Sequence, residues 1–205
     1  MKKRNWWKIG TGVGILFLIG ILISIYTVST RDPFQASIAK KILRFHVLAN
    51  SDSEKDQELK EEVRDAVGFY LEPMLSDARS VEDTRRIINE NLEGVIAVAE
   101  ETIQEEGFSY GVTAKITHTD FPVKTYGEYT FPAGNYEALE VVIGKGEGHN
   151  WWCVLFPNMC FRGSVFEIVQ EEAKESLQEV LSPEEYQDVF DSGKFKVKFR
   201  WFDFW

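Results

Sequence analysis

The chain is poor in cysteine, with only two among its 205 residues. Two cysteines make at most one bridge, which excludes a disulfide-framework fold, and they cannot supply the ligands of a zinc finger or zinc ribbon. Apolar content is not lacking, since 44% of the residues are hydrophobic and 14% are aromatic. That content excludes a disordered chain. The sequence therefore predicts one ordinary globular domain with an accessory segment.

Positive charge is scarce in most of the chain. The chain has 23 basic and 33 acidic side chains. Residues 1–35 hold five of the basic and one of the acidic side chains, so residues 36–205 hold 18 basic and 32 acidic ones, a net charge of −14. A body this acidic repels nucleic-acid phosphates and anionic lipid headgroups. We therefore expect no nucleic-acid partner.

The common catalytic and metal-binding motifs are also missing. The sequence has no H-E-x-x-H, P-loop or G-x-S-x-G pattern, and the three histidines are scattered. The glycine-rich stretch 144–148 precedes a Trp-rich strand, so it lacks the helix N-terminus that would hold a phosphate. We expect no catalytic residue, metal, cofactor or small-molecule substrate. One alternative stays open, a thiol enzyme in which His149 lies four residues before Cys153 on the same face of a strand.

An uncharged run of 20 residues extends from Ile9 to Val28 through Leu16 and Leu22. Such a helix spans a hydrocarbon core of about 30 Å. The basic residues and two tryptophans before it predict a cytoplasmic N-terminus and an exported body. The run is long for a signal peptide and residues 28–30 resemble a cleavage site only weakly, which favours an uncleaved membrane anchor. Cleavage would instead release the body outside the membrane, and a buried soluble helix is a further alternative.

Patterning divides the chain into a signal or anchor segment (1–30), a linker (31–35) and an exported α+β domain (36–205). Strands are predicted at 42–49, 110–117, 137–143, 151–156 and 194–201. The glycine-rich stretch 144–148 is predicted to be a hairpin loop that joins two neighbouring strands. Alternation with one polar face indicates a mostly antiparallel sheet.

Helices are predicted between these strands. Ser51 and Glu54 form a possible capping box for a first helix that Pro73 ends or kinks. Ser80 begins a second helix, which Gly107 ends. The amphipathic pair and two C-terminal helices, over 165–181 and after a Ser182 cap, are expected to pack on the sheet.

Two features of the C-terminal part leave alternatives open. Cys153 and Cys160 either form a bridge across a short turn, worth about 2.5 kcal/mol through the unfolded chain, or remain buried free thiols. The basic stripe of the strand 194–201 either pairs with the acidic helix faces or contacts anionic lipid.

Four sequence blocks together closely resemble the stage II sporulation protein R family of endospore-forming bacteria. They are residues 43–65 (LRFHVLANSDSEKDQELKEEVRD), 121–127 (FPVKTYG), 132–142 (PAGNYEALEVV) and 143–161 (IGKGEGHNWWCVLFPNMCF). The resemblance implies a signalling protein and no enzyme. Such proteins are made in the forespore and exported toward the space between the two septal membranes. There they activate a membrane-embedded aspartic protease of the mother cell, the stage II GA protein, which processes the sigma-E precursor.

Trp151, Trp152 and Phe121 are the candidate contacts for that partner, because large aromatic side chains dominate interface energetics. The alternative is that all three lie in the core. Adjacent strand residues point to opposite faces, so at most one tryptophan can lie squarely in a given core layer. Two other functions stay open at this point, a cell-envelope thiol hydrolase that uses Cys153 and a structural envelope adaptor.

Overall fold

The computed structural model describes residues 33–157, 159 and 171–190, with the side chains of the last range from residue 174. The predicted membrane segment, Cys160 and the predicted strand 194–201 lie outside these residues. Among the helices within them, none combines the length and the apolar character that a bilayer span requires.

The described residues form an α+β fold, as predicted. In chain order the elements are α1 (Pro33–Ile38), β1 (Leu43–Leu48), α2 (Glu54–Leu75), α3 (Val81–Glu90), α4 (Leu92–Glu105), β2 (Val112–Phe121), β3 (Lys124–Tyr126), β4 (Tyr129–Phe131), β5 (Gly134–Ile143), β6 (Asn150–Phe156), α5 (Glu171–Val180) and α6 (Pro183–Phe190).

The main sheet is mixed, and its strand order is β2-β5-β1-β6. β1 pairs in parallel with β5 and antiparallel with β6, while β2 and β5 are antiparallel. The prediction that β5 and β6 are neighbours joined by a hairpin is therefore wrong. β1 is almost wholly buried on both faces, so it lies between them, and residues 144–149 cross over its end. Periodicity within β5 and β6 carries no information about a strand inserted from elsewhere in the chain.

Helix α2, the first of the predicted helices, begins later than the predicted capping box. Ser53 is the N-cap, and its Oγ accepts a hydrogen bond from Asp56 N at 3.2 Å. Ser51 Oγ instead donates to Asp56 Oδ2 at 2.5 Å. The helix also passes through Pro73 and ends two residues later, at Leu75.

The predicted second helix is two helices that meet at Asn91. Ser80 caps α3 through a bond from Asp83 N at 3.0 Å, as predicted. Asn91 leaves helical geometry, with φ −118° and ψ 11°, and its Nδ2 donates to Ile87 O at 2.8 Å. This local competition for a helix carbonyl separates α3 from α4. Gly107, with φ 79°, follows the end of α4 as predicted.

Two cores lie on opposite faces of the sheet. Phe45 and the alternate residues of β1 on either side of it, Leu43 and Val47, pack against α2, α3 and α4 in the first core. The second core is aromatic and is built by α1, the β3–β4 hairpin, α5 and α6. Glu185 of α6 connects these elements, accepting from Ser37 Oγ and Lys41 Nζ, both at 2.5 Å. Ser182 and Glu185 also cap α6 reciprocally, which confirms the predicted Ser182 cap.

Candidate partner-binding site

Strand β6 is an edge of the main sheet, and it places Trp151 and Trp152 on opposite faces. Trp151 meets Phe45 edge to face at 5.6 Å and lies under the Arg64 guanidinium, whose Cζ is 5.1 Å from the ring. Trp152 stacks on His46 at 5.0 Å. Both indoles are half-buried, so each packs against core residues and still presents part of its surface. Their contact with a partner stays a prediction.

Phe121, the third predicted contact, lies at the end of β2 and is 2% exposed. Its ring packs against Trp152 at 4.6 Å and Tyr136 at 5.8 Å. This placement agrees with the alternative in which Phe121 lies in the core. Its predicted role as a direct partner contact is untested, and in this position Phe121 supports Trp152 from below.

Arg44 is fully buried on the same face, in the middle of the second core. Its Nε donates to Cys153 O at 2.9 Å and its Nη2 to Tyr126 Oη at 3.0 Å, whereas Nη1 has no hydrogen-bond partner among the described residues. Its Cζ lies 4.4 Å from the Phe121 ring centre and 5.2 Å from that of Tyr136. Burial lowers the pKa of Arg44, and cation–π attraction offsets part of that cost. A basic residue inside the apolar run 42–49 was the sequence signal for this site.

His46 lies two residues after Arg44, on the same face of β1, and is also buried. Its Nε2 is 3.2 Å from Glu140 Oε2, and Glu140 Oε1 is 3.1 Å from Lys115 Nζ. The approach to Glu140 lacks hydrogen-bond geometry. Burial lowers the pKa of His46 to about 4, although the Glu140 charge acts in the opposite direction. His46 is therefore a neutral imidazole on which Trp152 rests.

We expect the stability of the protein to fall as pH decreases from about 6.5 to about 4. In this range the unfolded chain protonates His46 and the folded chain does not, so the free energy of unfolding drops by about 3 kcal/mol. Below about pH 4 both states are protonated at His46, and carboxylates with lowered pKa, such as Asp56 and Glu185, add further loss. Chemical denaturation at several pH values measures this, and His46→Asn is expected to flatten the profile above pH 4.5. An unchanged slope in the variant would contradict the assignment.

The loop after β1 is tied to the glycine-rich crossover. Asn50 bridges the two: its Nδ2 donates to Asp56 Oδ2 at 2.9 Å, and its Oδ1 accepts from Lys145 N at 3.1 Å. Gly148 N donates to Ala49 O at 3.0 Å. Burial alone would raise the pKa of Asp56, but the hydrogen bonds from Ser51 and Asn50 outweigh it and lower the pKa. Two of the sequence blocks on which the resemblance rests are thus joined by hydrogen bonds near Trp151.

The alternative in which His149 pairs with Cys153 is not formed among the described residues. His149 is exposed and contacts Asp52 through both its backbone N, at 2.6 Å, and Nδ1, at 2.5 Å. Cys153 is buried and disulfide-bonded. Because Cys160 lies outside the described residues, the pairing of the two cysteines stays a prediction. Within the described ranges, no group of three or more His, Cys, Asp or Glu side chains is arranged to hold a metal ion.

Comparison with known proteins identifies the family. A family model described as Stage II sporulation protein R matches residues 39–166. This chain belongs to that family. Stage II sporulation protein R of Bacillus subtilis (strain 168) is 39% identical over 149 residues, which cover 71% of this chain and 66% of the relative. The match thus spans slightly less than two thirds of that relative's length. No solved structure matches the chain significantly.

Membership of the stage II sporulation protein R family confirms the resemblance seen in the sequence blocks. The names of the family and of the relative connect both with sporulation. The matched range includes the Asn50–Gly148 loop unit, β6 with both tryptophans, and the buried Arg44. The geometry described above therefore lies inside the part of the chain that the family shares.

Proposed function

We propose that this chain carries a signal between the two compartments of a sporulating cell. The leader delivers the domain from the forespore to the space between the septal membranes. There the domain binds the outward-facing part of the membrane-embedded aspartic protease of the mother cell, the stage II GA protein. Binding favours the protease state that processes the sigma-E precursor, because a ligand shifts such an equilibrium through its stronger binding to one state.

The observation that carries this proposal is the family match over residues 39–166. The chemistry of the described residues supports action by contact. The titratable side chains of the second core serve packing: Arg44 is enclosed by aromatic rings and His46 is held neutral. Such groups stabilise a defined surface without exposing a reactive atom.

The disulfide bond of Cys153 argues against the thiol-hydrolase alternative, which needs a free thiolate to attack a substrate. The envelope-adaptor alternative makes a different prediction from the signalling proposal. An adaptor has no specific effect on the processing of a transcription-factor precursor.

Co-expression in a non-sporulating bacterial host tests the proposal. The full chain, the candidate protease and the sigma-E precursor are produced together, and the mature sigma factor is measured by immunoblot. We expect processing to rise at least tenfold when the chain is present, because activation requires the bound state. A chain that lacks residues 1–30 is the control for delivery and is expected to leave processing at its background. Equal processing with and without the full chain would reject the signalling role.

A further inference from the structure

We infer that the partner binds the outer face of α2 through Phe69, with a surface that offers an apolar socket bordered by Lys or Arg side chains. This inference rests on the proposed function, since the partner is the membrane protein that senses the domain. The Phe69 surface is defined by Glu58, Glu62, Asp65, Phe69 and Pro73, all exposed.

Helical spacing places these residues on one stripe. They follow each other at intervals of four, three, four and four residues, which keeps them on one side of a helix with about 3.6 residues per turn. Val67 and Leu71, two positions on either side of Phe69, are fully buried, so Phe69 must point outward. Phe69 is 82% exposed, the highest value among the exposed large hydrophobic residues of the described chain.

The helix that carries Phe69 is held firmly against its neighbours. Tyr70 packs on α4 so closely that a Cβ at Gly94 would lie 1.9 Å from Tyr70 Oη. The N-terminus of α2 is capped by Ser53 and fixed through the Asp56 network. Phe69 therefore stands on a rigid support, and binding through it requires little ordering of the domain.

The Phe69 surface continues toward Trp151, one of the predicted partner contacts. Arg64 forms a two-point ion pair with Asp65, at 2.6 and 2.8 Å, and its guanidinium covers the Trp151 ring. Arg64 thus connects Asp65 of the Phe69 surface to the ring of Trp151. The other exposed apolar residues are less suited: Phe190 is 38% exposed and stacks on Tyr186, and Val123 has a small side chain.

Charge selects among the occupants of this surface. Glu58 and Glu62 form no ion pair within the described residues, so the stripe beside Phe69 is anionic. It therefore repels anionic lipid headgroups, and it repels a second copy of an equally acidic body. A protein surface with an apolar socket and basic borders satisfies both Phe69 and the carboxylates.

Substitution of Phe69 in the full chain tests the inference. Phe69→Ala removes an exposed ring, so its melting temperature is expected to match that of the original chain. In the co-expression assay, the amount of chain needed for half-maximal processing should rise about 30-fold, the loss expected for one buried aromatic anchor. Val123→Ala, at a residue 55% exposed elsewhere on the domain, is the matched control and should change this amount less than twofold.

Charge reversal tests the basic border. Glu62→Lys should raise the amount needed about fivefold, whereas Glu101→Lys on α4 should leave it unchanged. Unaltered signalling by Phe69→Ala would overturn the inference and leave the proposed function intact. No processing with the original chain would reject both. A change from dimer to monomer on Phe69→Ala, measured by sedimentation, would also overturn the inference, because Phe69 would then join two copies of the chain.

Discussion

Gly148→Ala is expected to lower the free energy of unfolding by about 3 kcal/mol. A Cβ at this position would lie 2.2 Å from the carbonyl oxygen of Ser51 and 3.0 Å from the Ala49 Cβ. The first contact is with backbone, which cannot rotate away as a long side chain could. The loop after β1 and the crossover must then separate, which also breaks the bond from Gly148 N to Ala49 O.

Gly111→Ala is the matched control, because among the described residues no atom outside its two chain neighbours lies within 4 Å of a Cβ at Gly111, and its φ is not in the left-handed region. We expect it to change the free energy of unfolding by less than about 0.5 kcal/mol. Chemical denaturation of the full chain in detergent, followed by tryptophan fluorescence, measures both. Equal stability of the two variants would show that the crossover can move away from Ser51 at little cost.

Arg44→Ala is expected to lower the free energy of unfolding by about 4 kcal/mol. The substitution leaves a cavity among Phe121, Tyr126 and Tyr136, and it removes the donors from Cys153 O and Tyr126 Oη. The two buried oxygens then lose the hydrogen bonds that Arg44 donates to them, while Tyr126 Oη still donates to Trp152 O at 3.0 Å.

Arg44→Met separates packing from charge at the same position. Methionine restores most of the volume and removes a buried charge that has no carboxylate partner within the described part of the chain, so we expect a loss of at most about 2 kcal/mol. Arg86→Ala is the control for loss of a surface arginine, since Arg86 is 59% exposed and forms only helix-surface ion pairs. Equal losses for Arg44→Ala and Arg44→Met would show that the hydrogen bonds of Arg44, and not its volume, stabilise the second core.

Two of the family blocks that are distant in the sequence lie against each other in the fold. The residues at 50–56 and at 144–149 are almost 100 positions apart, and both were recognisable as family blocks. The structure joins them through Asn50, Lys145, Asp52 and His149. A sequence pattern identifies each block but gives no distance between them, so this unit could be found only in three dimensions.

The amino-acid sequence by itself determined the family and part of the local structure. Some signals depend only on neighbours within one or two helical turns, so they can be predicted from the sequence. These are the hydrophobic spacing, the caps at Ser80 and Ser182 and the helix end at Gly107. The position of β1 between β5 and β6, the burial of Arg44 and His46, and the exposure of Phe69 were decided by tertiary structure. Each of these features depends on contacts between segments that are far apart in the sequence. The free energy of such contacts cannot be predicted from any single segment.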